Sequence, residues 1–143
     1  MGYVKIWIHI VWTTKNRKTI LDKERLVQII NHIKTNAKEK RIHVDSINGY
    51  LDHLHVLISL RSTQTIDKVM MQLKGESSHW INKNKLYSQR FQWQTEYFAV
   101  SMCESSLPHI RKYIRNQATH HKRKTFEDEY RDFMKKYGFD SNL

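Results

Sequence analysis

Ile42-His43-Val44-Asp45-Ser46-Ile47-Asn48-Gly49 and, three residues on, His53-Leu54-His55-Val56-Leu57-Ile58-Ser59-Leu60 form the stretch whose reading decides the fold. Both halves are strand-length and rich in β-branched residues, with Ile42, Val44 and Ile47 apolar in the first. The connection is too short for a crossover helix, so the second strand returns antiparallel to the first. Asn48-Gly49 reads as a turn or bulge signal between them.

The pattern extends in both directions. Upstream, residues 22–40 read as a helix: Asp22 can cap its start, and Leu26, Ile29, Ile30 and Ile33 recur at helical spacing. Before it, residues 3–12 read as a strand with Lys5 and His9 as polar insertions, followed by a basic loop from Thr13 to Thr19. Downstream, Thr65 opens a helix over about 66–83 that buries Ile66, Val69, Met70, Leu73, Trp80 and Ile81. Gly75 inside it marks close packing or the close approach of a ligand. Residues 86–96 form a loop rich in Gln and aromatics, and 97–102 a fourth strand. Ser105 or Ser106 caps the next helix, with Pro108 in its first turn. Thr125 with Asp128 starts a last helix that Gly138 ends. The order β-α-β-β-α-β predicts an α+β fold of ferredoxin-like (RRM-like) type, an antiparallel sheet with two helices on one face. The expected organisation is one domain over 1–143: a core over 1–104, a helix over 105–121 and a C-terminal helix over 125–138.

Composition limits the function classes. The 143 residues hold 25 Lys plus Arg against 14 Asp plus Glu, a net charge of +11 that points to a polyanionic partner. The basic residues fall in groups: Lys15, Arg17 and Lys18; Lys34, Lys38, Lys40 and Arg41; Arg111, Lys112 and Arg115; Lys122, Arg123 and Lys124. Such runs are also ordinary solvated faces. Apolar runs are strand-sized, so no membrane span is expected, and the N-terminus lacks a secretory layout. The single cysteine, Cys103, excludes an intramolecular disulfide and a multi-cysteine zinc site. A cytoplasmic protein is the default expectation. No Gly-rich phosphate loop and no Gly-x-Ser-x-Gly elbow occurs, so no nucleotide cofactor is expected.

Two sets of residues can carry chemistry. His53 and His55 alternate on a strand and so point to one face, about 6–7 Å apart, where they can share a metal ion. Two histidines on a solvated sheet face would give the same pattern. Asp52 can orient an imidazole, although a strand position would aim it away from both. Tyr113 and Gln117 lie four apart on a helix and share a face. Tyrosine can act as a covalent nucleophile, and glutamine offers a carbonyl oxygen to a metal. Alone, the pair reads more readily as core filler at Tyr113 and surface at Gln117. His120 and His121 read as surface or DNA-contacting, and Glu127, Asp128 and Glu129 as charges complementing a helix N-terminus.

Together these residues resemble the single-tyrosine transposases of the HUH superfamily, the insertion-sequence 200/605 group. The resemblance rests on His53-Leu54-His55 and on Tyr113-Ile114-Arg115-Asn116-Gln117. It extends through Trp7–Lys15, Asn48–Asp52, Leu73–Ser78, Phe91–Gln94 and the tail His120–Tyr130, about residues 4–138. Glu96 and Phe98 depart from it, standing where the family often has glycines flanking a tyrosine. The resemblance implies Mg²⁺ or Mn²⁺ held by His53, His55 and Gln117, with Tyr113 attacking the scissile phosphate to give a 5′-phosphotyrosine link and a free 3′-OH. It implies single-stranded DNA marked by a hairpin as substrate, and a homodimer. The expected DNA contacts are Lys15, Arg17, Lys18, Lys74, Trp93, Arg111, Arg115 and Lys122, with Tyr97 and Phe98 as further stacking candidates. Two other readings remain: a domesticated single-strand nickase or binder at chromosomal repeats, and an RRM-type RNA-binding module. The second would place aromatics where the third strand carries histidines.

Overall fold

The computed structural model describes residues 2–121 and 124–139 of the chain. Four strands form one antiparallel sheet: β1 (Trp7–Thr13), β2 (His43–Tyr50), β3 (His53–Ser59) and β4 (Phe98–Met102), in the spatial order β2-β3-β1-β4. Strand β3 is central, pairing with β2 on one side and β1 on the other. The architecture is the α+β plan expected from the element order.

The sheet is covered on both faces. Helix α1 (Lys23–Glu39) and the pair α2 (Ile66–Met70) and α3 (Glu76–Lys83) cover the first. Ile8, Ile10 and Trp12 of β1 and Leu54, Val56 and Ile58 of β3 meet Ile29, Ile33, Leu73 and Ile81 there. Each such side chain contributes roughly 2 kcal/mol by leaving water. The second face is covered by α4 (Leu107–Arg115), α5 (Gln117–His121) and α6 (Phe126–Lys136). Leu107, Ile110 and Ile114 of α4 pack on Leu57, while Phe126 of α6 packs with Val11 and Phe98.

Local chemistry sets the boundaries. Asp22 caps α1 by accepting from the Arg25 N–H, and Thr125 caps α6 by accepting from the Asp128 N–H. Strand β1 starts at Trp7 rather than residue 3, because sheet pairing begins with Trp7 opposite Ser59 and Met102; Tyr3 lies fully in solvent. Asn48-Gly49 is inside β2, and the reversal comes at Leu51-Asp52, with Leu51 at φ 25°. Gly49 is required for close approach: a Cβ there would strike the carbonyl oxygen of His53 and the side chain of Leu54. The bulge lies between Val44 and Ser46 instead.

Helices α2 and α3 are joined through a π-helical turn, Met71–Gly75. A Cβ on Gly75 would meet only Met71 at 3.9 Å, so this glycine does not serve close packing. The helix expected over 105–121 is broken at Asn116, where φ/ψ of −98°/28° leave the helical region. The Asn48 side chain donates to the carbonyl of Arg115 (3.0 Å) just before that break.

Candidate metal centre

Alternation along β3 sends Leu54 and Val56 into the first core and His53 and His55 to the opposite face. Both imidazoles are completely buried there, beneath α4, α5 and α6. Helix α4 is held over them by Arg111, whose guanidinium makes two bonds of 2.9 and 2.8 Å to the Asp45 carboxylate at the β2 bulge. That ion pair keeps the Asp45 carboxyl below the usual carboxylate range.

The histidines are oriented from behind. His53 Nδ1–H donates to the Asp52 carboxylate at 2.7 Å; Asp52 sits in the turn before β3, which frees it to reach the neighbouring ring. Nδ1 of His55 lies 2.9 Å from Nε2 of His9 on β1, with the two rings stacked. Nδ1–H of His121 donates to the Lys124 carbonyl at 2.9 Å. Each ring therefore spends Nδ1 outward and turns Nε2 inward, as metal-ligating histidines do.

What meets inside is a group of acceptors. The Gln117 side chain, wholly buried, donates through Nε2–H to the Tyr113 carbonyl, which aims its Oε1 at the centre. That oxygen is 3.1 Å from Nε2 of His53 and 3.1 Å from Nε2 of His121. Glu129 of α6, 3 % exposed, places Oε1 at 2.9 Å from His55 Nε2 and Oε2 at 3.1 Å from His121 Nε2. The His55 and Glu129 atoms are out of hydrogen-bond alignment, and both lack a hydrogen-bond partner. Ligand atoms of His53, His55, His121 and Glu129 lie within 4.8 Å of one another. Inward lone pairs, a carboxylate and unpartnered buried atoms are the donor set a divalent cation satisfies.

Burial lowers the His55 pKa to about 4 and that of His9 to about 3, so both rings are neutral near pH 7, which leaves the inward Nε2 of His55 available as a ligand. Tyr113 on α4 is half-buried, its ring 5.4 Å from that of His55 and its hydroxyl 3.5 Å from Nε2 of His120. Burial first, and then the Glu129 charge, push its phenol well above the ordinary value. A cation among these ligands would offset the Glu129 charge.

Sequence reasoning brought together His53, His55, Tyr113 and Gln117, and the structure places all four in one cluster of the same chain. It missed His121, His9 and Glu129. His121 is no surface residue, since its side chain is only 3 % exposed. Glu129 is no solvated helix-end charge, because α6 lies across the site and turns its first-turn inner face onto the histidines. Asp52 does reach its imidazole. Only the spacing of Phe126, Tyr130 and Phe133, an amphipathic stripe adjoining Glu129, signalled which face of α6 packs inward.

The expected DNA contacts divide. Lys15 donates to Gln92 Oε1 (3.0 Å), Lys18 is exposed, and Arg115 is exposed beside the α4 break. Arg17 lies over the rings of Phe126 and Tyr130, 5.3 Å from each. Arg111 is committed to Asp45. Lys74 and Trp93 are committed to the fold rather than to DNA. Lys74 donates to the carbonyls of Gln94, Thr95 and Glu96, and Trp93 is buried against Trp12 and Phe91 with its N–H on Ser77 (2.9 Å). Phe98 is buried as well, whereas Tyr97 is 41 % exposed. Lys122 lies outside the described residues. Cys103 is exposed beyond β4, away from the cluster.

Known proteins bear on this geometry. Over 123 residues the chain is 27 % identical to the ISDra2 transposase TnpA of Deinococcus radiodurans, covering 81 % of this chain and 87 % of that protein. A crystal structure from Deinococcus radiodurans R1, assigned as a transposase, superposes with a TM-score of 0.66 at 24 % identity, over 82 % of this chain and 95 % of that one. A REP-associated tyrosine transposase bound to a REP hairpin superposes with a TM-score of 0.63 at 15 % identity, over 85 % and 72 %. At those identities the two structures speak for the fold. The sequence model of the family "Transposase IS200 like" matches residues 3–117, which take in the His53/His55 strand, Tyr113 and Gln117. The chain belongs to the IS200-like transposase family.

Proposed function

We propose that this protein cuts and rejoins single-stranded DNA at hairpin-marked ends through a 5′-phosphotyrosine link on Tyr113, with a divalent metal held by His53, His55 and Gln117. The observation that carries the reading is the convergence of Gln117 from α5 on Nε2 of His53 and of the Tyr113 ring from α4 on the ring of His55. His121 and Glu129 complete the ligand set. A bound divalent ion supplies Lewis-acid polarisation of the scissile phosphate. The nitrogen-rich ligands favour Mn²⁺ over Mg²⁺.

The chain's own residues do the rest. Asp52 and His9 hold the two histidine rings in the ligating tautomer. Tyr113 Oη forms the new bond to phosphorus as the 3′-oxygen leaves. His120 Nε2, 3.5 Å from the phenol oxygen, donates to the Glu129 carboxylate at 2.9 Å, so it positions Tyr113, and the phenolic proton passes to solvent as the new bond forms. The free 3′-OH later attacks the phosphotyrosine, so rejoining needs no nucleotide cofactor. Lys15, Lys18 and Arg115 are placed to meet the DNA backbone. A homodimer belongs to the same proposal, although the Tyr113 and histidine sets already meet within one chain. A cytoplasmic location belongs to the same proposal, and among the described residues no helix is long and apolar enough to cross a membrane.

The RNA-module reading is disfavoured because the sheet face such modules use is covered by α4 and α6. The test is a denaturing gel of protein incubated with labelled single-stranded hairpins from DNA flanking its coding sequence, with Mn²⁺ or Mg²⁺. A metal-dependent covalent band, lost in Tyr113→Phe and in His53→Ala, is expected. An adduct formed by Tyr113→Phe would remove Tyr113 from its role, and undiminished cleavage by His53→Ala would remove the ligand assignment.

A further inference from the structure

At the free edge of β4, between the sheet and α6, lies a cavity of about 1060 Å³. This is at the upper end of small-ligand pockets. Its inner wall is aromatic: Phe98, Phe126 and Phe133. Around its mouth stand Tyr97, Tyr130 and Phe139, which are 41 %, 37 % and 40 % exposed. Three aromatic rings left in water around one opening form a binding patch rather than scattered surface.

The cavity also carries a cation. Arg17 lines it, with its guanidinium over Phe126 and Tyr130. The backbone that presents this arginine is strained: Asn16 and Arg17 are consecutive non-glycine residues in the left-handed region, at φ 58° and 51°. Such strain gathers where a loop clamps a ligand. Glu96 is the carboxylate in the wall, and it suits an exocyclic amino group of a base rather than a phosphate.

The position ties the cavity to the chemistry. Phe126 lines it on one side and stacks on His53 at 4.1 Å on the other. Phe133 likewise lines it and contacts the rings of His55 and Tyr113 edge-on. Whatever fills the cavity is one ring's thickness from the metal centre. Its outer wall, α6, lies beyond residue 117, outside the part matched to the family. Flat aromatic walls, a guanidinium at the rim and a strongly cationic chain together fit an unpaired nucleobase with its phosphate.

We propose that this cavity is a nucleobase subsite, taking an unpaired base of the DNA strand beside the scissile phosphate, with Arg17 holding that base's phosphate. The proposal rests on the single-stranded DNA reading above. Tyr130 and Tyr97 form its rim and take no part in the metal centre.

The test is an abasic scan. Wild-type protein is titrated with a hairpin oligonucleotide bearing a short unpaired flank, and with the same oligonucleotide made abasic at each flank position in turn. One position is expected to weaken binding by about tenfold, the worth of one base–aromatic stack. Tyr130→Ala should weaken the intact oligonucleotide by a similar factor and lose nothing further with that abasic site. A blunt hairpin without the flank should bind Tyr130→Ala and wild type equally. A flat scan with retained binding and cleavage, or losses from Tyr130→Ala and the abasic site that multiply, would overturn the subsite alone. Failure of wild type to bind any of these oligonucleotides would overturn the DNA reading together with it.

Discussion

Replacing His9 by phenylalanine should make the metal-free protein more acid-resistant while weakening its hold on metal. His9 is wholly buried, and its Nδ1 has no hydrogen-bond partner. An unfolded imidazole takes up its proton near pH 6.5, whereas burial lowers the folded value to about 3. Between those values the unfolded state holds more protons, so stability is full above about pH 6.5 and falls as pH drops through the window. From pH 6.5 to pH 5 this one group withdraws about 2 kcal/mol, at roughly 1.4 kcal/mol per pH unit. For a chain of this size that is roughly 6 °C of thermal midpoint. His55, lowered to about 4, adds its own slope and keeps it in the variant. Phenylalanine preserves the stack on His55 and the edge contacts to Tyr113 and Phe133. Urea titrations at pH 7, 6 and 5, with chelator present, measure the difference. The His9→Phe protein should match or exceed wild type at pH 7 and gain about 2 kcal/mol on it by pH 5. Calorimetric titration with Mn²⁺ at pH 7 should show affinity reduced by about 10- to 100-fold, because His55 loses the partner that sets its tautomer. Equal pH slopes for the two proteins would refute the assignment of His9 as a buried neutral ring behind a ligand.

Three further perturbations follow from the same structure. Glu129→Gln removes the anion among the histidines and should weaken Mn²⁺ binding at least about tenfold by calorimetry; unchanged affinity would take Glu129 out of the ligand set. Gly49→Ala drives a methyl into the His53 carbonyl and should cost about 3 kcal/mol in denaturant unfolding, a backbone clash that side-chain rotation cannot relieve. Lys74→Met withdraws three bonds from the 94–96 segment and should speed proteolysis there, while the far side of the sheet stays protected.

Much of the fold was legible because the signals were local. The alternation in residues 53–60, the caps at Asp22 and Thr125, and the apolar spacing of the first helix each depend on a few neighbouring residues. Boundaries set by long-range partners were not legible. Strand β1 begins where pairing begins, and Asn48-Gly49 stays extended because Gly49 must pass close under His53. The site divides the same way. His53, His55, Tyr113 and Gln117 stand in short motifs, whereas His121 and Glu129 reach the cluster only through the docking of α5 and α6. Lys74 and Trp93 illustrate the opposite error. Their residue types suit nucleic acid, and only tertiary contact reveals that one gathers three carbonyls and the other packs between Trp12 and Phe91.

Strand β3 has its reactive side and its greasy side back to back, one residue apart. A slip of a single position in its pairing would exchange the two, driving imidazoles into the hydrocarbon layer and leucines into the cluster. A strand displaced by one residue therefore cannot be both well packed and able to assemble the histidine cluster. Any activity of that cluster thereby reports that this strand faces the right way.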